Sequence, residues 1–233
     1  VIAINIAEGD EVVDVRLTNG HNELILANRN GRAVRFDEET IRTMGRTATG
    51  VRGMRLDGGD DAVVGMIVIN DSENETVMVV SEEGYGKRSE VEDYRKTNRG
   101  GKGVKTLNIT DKTGRLVAIK NVTDDNDLMI INKSGIVIRL AVADCRVMGR
   151  ATQGVRLINL AKKNDVIASV CKVMSSELEA SVEEESRSAF SQKSEEMKQD
   201  TTSPVYEEAI AEGEPIDGAD TSIVETPSDE DIL

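Results

Sequence analysis

One pattern recurs three times in this chain and restricts its fold more than any other feature. Arg46-Thr-Ala-Thr-Gly50-Val51-Arg52, Arg99-Gly-Gly-Lys-Gly103-Val104-Lys105 and Arg150-Ala-Thr-Gln-Gly154-Val155-Arg156 all fit R-x3-G-V-[RK]-x3-[LI]. They close on Leu56, Ile109 and Leu160, and the offsets are 53 and 51 residues. The same offsets relate Gly31, Gly84 and Gly135, and again Arg35, Arg88 and Arg139. Independent landmarks that drift together mean that one unit of about fifty residues is present three times. A unit of that length cannot bury its apolar face alone and implies a propeller, solenoid or array.

Each unit reads as strands. Residues 23–28 and 32–36 flank Arg29-Asn30-Gly31, a hairpin turn. Residues 76–81 and 86–89 repeat this around Gly84, and 128–132 and 136–140 repeat it around Gly135. A strand precedes each hairpin (12–17, 62–69, 116–122), and another follows each glycine of the R-x3-G-V pattern. Segments 37–43 and 140–147 have room for one helical turn at most. Four short strands per unit, with no proline before Pro204, predict an all-β, propeller-like fold over residues 1–176, with about three four-stranded blades. Three blades are too few to close a ring. Residues 1–6 read as the last strand of a blade whose beginning is missing, so further blades are expected before Val1.

The formal net charge of −14 conceals a division. Residues 177–233 hold 18 acidic and 3 basic residues, whereas residues 1–176 hold 25 acidic and 26 basic. The body can bury a core. The last segment is too charged to offset its ordering entropy and is expected to be a disordered acidic tail. No apolar run approaches the roughly 18 residues that span a bilayer, so no membrane partner is expected. Cys145 and Cys171 lie in strand-like apolar contexts and read as two reduced core thiols. With one histidine in the chain, His21, a zinc site is excluded. Asp124-Asp125-Asn126-Asp127 falls where a polar turn is expected. No G-x-S-x-G, Walker loop or carboxylate pair in a plausible cleft appears, so neither catalytic residues nor a bound metal are expected within the chain.

The cations follow the repeat. Hairpin arginines Arg35, Arg88 and Arg139 and loop arginines Arg46, Arg99 and Arg150 occur once per unit. Arg32, Lys87, Lys102, Lys105 and Arg156 add to them. A curved array of that kind suits phosphate neutralisation, which releases counterions and gives affinity without base reading. With five Phe and Tyr and no Trp, base-stacking platforms are scarce, which favours duplex over single strands. Glycines beside the loop arginines (Gly45, Gly100, Gly101, Gly149) would let backbone N–H groups approach a phosphate.

Arg35-Phe36 through Thr40-Ile41-Arg42-Thr43-Met44-Gly45-Arg46 to Gly50-Val51-Arg52-Gly53-Met54-Arg55-Leu56 resembles the C-terminal domain of the bacterial DNA gyrase A protein. So do Gly84-Tyr85-Gly86-Lys87-Arg88 and Val147-Met148-Gly149-Arg150-Ala151-Thr152-Gln153-Gly154-Val155. The resemblance implies about the last three blades of a six-bladed β-pinwheel, followed by a variable acidic tail. It implies that duplex DNA is wrapped around the basic perimeter, so that a parent type II topoisomerase can introduce negative supercoils. It also implies a dimer of gyrase A with gyrase B (A2B2) in the bacterial cytoplasm, at the nucleoid. ATP and Mg are expected on other domains, and no cofactor within this chain. Thr97-Asn98-Arg99-Gly100-Gly101-Lys102-Gly103 matches only the last five positions of the family heptapeptide Q-R-R-G-G-[KR]-G. It reads as the repeat-equivalent of that box, the box itself being expected upstream. The alternatives are the matching domain of topoisomerase IV and a propeller-like scaffold for protein partners.

Overall fold

The computed structural model describes residues 2–160 and 165–175. The expected acidic tail, residues 177–233, lies outside them. Three hairpins organise the described chain. Strands β1 (Glu23–Asn28) and β2 (Arg32–Asp37) form the first. β4 (Thr76–Ser81) and β5 (Tyr85–Glu90) form the second, and β8 (Asn126–Asn132) and β9 (Val137–Ala141) the third. Their turns carry Gly31, Gly84 and Gly135 at φ of +73°, +74° and +83°, where a β-carbon is disfavoured. A 3-10 turn follows each hairpin: Glu38–Thr40, Val91–Asp93 and Val142–Asp144.

Each hairpin recruits strands from later in the chain. β3 (Val63–Ile69) pairs with β1, and the two-residue β6 (Val104–Lys105) pairs with β2, giving the order β3-β1-β2-β6. The second sheet is β10-β5-β4-β7, with β7 Leu116–Val122 and β10 Val155–Arg156. The third is β11-β8-β9, with β11 Ile167–Met174.

This register corrects the sequence reading in one respect. The long strand before a hairpin does not join that hairpin. β3 pairs backwards onto β1 (Leu24↔Val68, Leu26↔Met66), and β7 and β11 do the same onto β4 and β8. The strand of each later R-x3-G-V motif likewise completes the sheet one repeat earlier, with Ala33↔Val104 and Gly86↔Val155. Successive blades are therefore laced together by exchanged strands. Residues 12–17 occupy the repeat position of β3 and β7, and no hairpin precedes them among the described residues. They form no strand, and Leu17 is 97% exposed. Residues 2–6 form none either.

The apolar cores lie between sheets. On β4, Val77 and Val79 pack with Ile25, Ile67 and Leu107, while Met78 and Val80 pack with Leu128, Ile130 and Val142. Both faces of that strand are covered, so it reads as a continuous apolar run rather than an alternation. Cys145 joins the second cluster, but Cys171 is exposed. β11 is an edge strand whose alternation turns Val170 inward and its neighbour outward. No helix among the described residues is long and apolar enough to cross a membrane.

Candidate nucleic-acid interface

The hairpin arginines are clamps between blades. Arg35 is 5% exposed. Its Nε donates to Glu23 Oε2 (2.5 Å), and its Nη1 donates to the carbonyls of Val91 (2.9 Å) and Tyr94 (3.2 Å). Nη2 reaches Glu92 Oε1 (2.9 Å). These bonds tie β2 to the 3-10 turn of the next blade. Burial opposes the charge, but the bonds from Glu92 and Glu23 outweigh it and hold the guanidinium above its ordinary pKa. Arg88 repeats the arrangement on Thr76 Oγ1 (2.6 Å), the Val142 carbonyl (3.3 Å) and Asp124 (2.5 Å). The expectation that Arg35 and Arg88 contact phosphate is therefore corrected. A buried guanidinium already bonded across to the next blade has little face to offer, and releasing it would leave charges unpaired. Arg139 has no such turn against it among the described residues, is exposed and pairs with Asp127.

The loop arginines behave differently. Arg99 donates from Nε to the Thr40 carbonyl (3.1 Å) and from Nη1 to the Arg52 carbonyl (3.2 Å). Arg150 makes the equivalent bonds to the carbonyls of Asp93 (2.8 Å) and Lys105 (3.0 Å). Backbone bonds join the same loops: Gly100 N to Gly53 O (2.6 Å), Arg55 N to Gly101 O (2.8 Å) and Asn108 N to Thr152 O (3.1 Å). Each motif loop is thus stitched to the one before it. The stitching uses two of the five guanidinium donors, fixes the plane of each side chain and leaves donors over. The Gly100 N–H expected to meet phosphate is spent on Gly53. Arg46 is exposed and has no partner among the described residues.

Three further predicted cations are exposed at the same loops. Lys102 pairs with Asp57 (2.7 Å), and Lys105 Nζ donates to Asn108 Oδ1 (3.2 Å). Arg156 donates to Tyr85 Oη from Nη2 (2.8 Å) and Nε (3.2 Å), and also lies over the ring at 5.3 Å. Those bonds pull the Tyr85 phenol below its ordinary pKa. Of the other predicted cations, Arg32 is half-buried near Asp57 (3.9 Å) and Lys87 is buried.

One triad escaped the sequence reading. Arg42, Arg95 and Arg146 are exposed, without a partner among the described residues, just past their 3-10 turns. They obey the offsets of 53 and 51, so sliding the repeat along every cation would have found them. Arg52, in phase with Lys105 and Arg156, was passed over in the same way and is exposed. Because Arg99 bonds to Thr40 and Arg52, and Arg150 to Asp93 and Lys105, the turn and loop cations of adjacent repeats form one band.

Comparison with known proteins agrees with this geometry. The chain matches the family described as DNA gyrase C-terminal domain, β-propeller, at residues 1–19, 22–70, 75–123 and 126–171. The second segment runs from the first hairpin to the end of β3, the span that the sheet pairing groups together. The DNA gyrase A protein of Staphylococcus aureus (strain NCTC 8325 / PS 47) is 46% identical over 192 residues, covering 82% of this chain and 21% of that protein. The chain thus spans about a fifth of the length of the curated relatives it matches. A crystal structure of the C-terminal domain of DNA topoisomerase IV superposes with a TM-score of 0.70 at 29% identity, over 78% of this chain and 57% of that one. A DNA gyrase A C-terminal domain gives 0.68 at 26% identity, over 75% and 58%. With the repeat, the laced sheets and the family match in agreement, the chain belongs to the DNA gyrase C-terminal domain family.

Proposed function

We propose that this chain is the DNA-wrapping module of a gyrase A protein, bending duplex DNA along its cationic band. The observation that carries the reading is the stitched series of motif loops, which holds loop, turn and motif-strand cations at one position per repeat. Arg42, Arg46, Arg52, Arg95, Arg99, Lys102, Lys105, Arg146, Arg150 and Arg156 are the contacts. The parent enzyme supplies strand cleavage and ATP hydrolysis from other domains, in an A2B2 assembly at the nucleoid in the bacterial cytoplasm. A topoisomerase IV module shares the fold equally well, but 46% identity to the S. aureus gyrase A protein favours gyrase.

Wrapping differs from binding in bringing the ends of a duplex together. A linear duplex labelled at both ends should show rising energy transfer as the chain saturates it. Saturation without end approach would leave a phosphate-binding surface and remove the wrapping.

A further inference from the structure

The motif loops that carry Arg99 and Arg150 share a sequence pattern but rest on different supports. Beneath the third loop lies Lys87 of β5, 1% exposed. Its Nζ donates to the carbonyl oxygens of Gly149 (2.9 Å) and Arg150 and to Thr152 Oγ1 (3.3 Å). All three acceptors belong to that loop, and none is a carboxylate. The charged groups facing the ammonium are Asp93 on the 3-10 turn and Arg150 on the loop itself. Burial pulls the lysine down to about 8, so the charge is held against a real desolvation cost.

The repeat shows that packing alone does not demand a lysine here. The offsets place Val34 and Ile138 at the same position of the other hairpins. Val34 is itself buried in the apolar cluster of Leu24, Phe36, Met54 and Val68, and with Thr97, Asn98, Gly101, Lys102 and Gly103 it lines a surface cleft of about 220 Å³. The third loop is braced by a buried cation, whereas the second has an apolar residue at that position and a cleft beside it.

Building on the DNA reading above, we propose that Lys87 is a positioning residue whose buried ammonium pins the third motif loop and makes Arg150 the fixed phosphate contact of the band. The second loop is held by its stitches to Gly53 and Arg55 and by the Lys102–Asp57 pair, and lacks a buried cation beneath it. A bent duplex then meets a loop pinned by a buried cation on one blade and a loop without that cation on the next.

The test uses the full chain and a short mixed-sequence duplex, reading affinity by fluorescence anisotropy and loop order by amide hydrogen exchange. Lys87→Met keeps the length of the side chain and removes the charge. It should speed exchange across residues 149–153 and weaken binding roughly tenfold, the size of one lost charge-assisted hydrogen bond. Raising the pH through about 8 should close that gap, because the unsubstituted lysine then loses its own charge. Val34→Lys should do the reverse at the second loop, slowing exchange across residues 98–103 and tightening binding. A lysine that only stabilises the fold would lower the unfolding midpoint of Lys87→Met while leaving the affinity of the folded chain and its pH profile unmoved. That result overturns the proposal, as does a Val34→Lys chain with unchanged exchange and affinity. Failure of the unsubstituted chain to bind duplex would sink the DNA reading itself, and the positioning role with it.

Discussion

The lacing of blades puts its largest steric demand on one glycine per motif. Gly103 has φ +72° and Gly154 φ +78°, and both lie against the sheet that their strand completes. A β-carbon at Gly103 would sit 2.2 Å from the Ala33 carbonyl oxygen and 2.5 Å from its carbon. At Gly154 it would sit 2.4 Å from the Gly86 carbonyl oxygen. Gly50 has the same handedness, φ +85°, but a β-carbon there meets nothing within 4 Å. Alanine at Gly50 should therefore cost only the left-handed backbone, about 1–2 kcal/mol. Alanine at Gly103 or Gly154 adds a clash that is relieved only by moving the motif strand away. That movement breaks the two-residue pairing with β2 or β5 and the bonds to Gly31 O or Gly84 O, made by Thr106 and Leu107 or by Leu157 and Ile158. Three or four such bonds at about 1 kcal/mol each bring the total to roughly 4–6 kcal/mol. That is comparable to the whole stability of a modest domain. Urea unfolding followed by circular dichroism measures all three variants on one scale. Equal costs at Gly50, Gly103 and Gly154 would refute the claim that motif glycines are selected by blade-to-blade contact.

Other consequences are separable. Arg35→Met should lower stability by about 3 kcal/mol through the orphaned carbonyls of Val91 and Tyr94, and leave the duplex affinity of the folded chain unchanged. A loss of affinity without a loss of stability would return Arg35 to the binding surface. For Lys87, folding lowers the pKa from 10.5 to about 8, so between those values the unfolded chain holds a proton that the folded chain has released. Its contribution to stability must then rise with pH across that window, by up to about 3 kcal/mol. The difference in unfolding free energy between the unsubstituted chain and Lys87→Met, measured at pH 7 and pH 10, reads that rise directly, and parallel curves would contradict it. The 18 acidic residues after Ser176 should compete with phosphate for the tethered band. Truncation there should tighten duplex binding at low salt, with a gain that shrinks as salt rises; equal affinities would leave the tail a solubilising role.

The parts legible in the sequence were those set by local chemistry repeated at a fixed offset. The hairpins are legible from their glycine turns, and two of the three 3-10 turns fall in the segments 37–43 and 140–147 that leave room for one helical turn. The pairing partners of β3, β7 and β11 were not legible. Apolar alternation shows that a strand has a buried face, but it carries no label for the hairpin it joins. The arginines show the same limit. Arg35 and Arg99 are both in phase with the repeat, yet one is enclosed by Glu23, Glu92 and two carbonyls while the other stands half open. Phase identifies a shared role but not the face on which it is performed. Lys87 reads from sequence as one more cation of the array; its supporting role is not legible there, because it breaks the repeat and its meaning depends on the loop folded over it.

The central claim is that the band of loop cations holds duplex DNA through its phosphates. The most direct test is the salt dependence of duplex affinity, for the unsubstituted chain and for one carrying Arg46→Ala, Arg99→Ala and Arg150→Ala. With ten phosphate contacts, log K against log[salt] should slope by about −9, and removing three of them should bring it to about −6. A slope near zero, or one that the triple substitution leaves unchanged in a folded chain, would contradict the account.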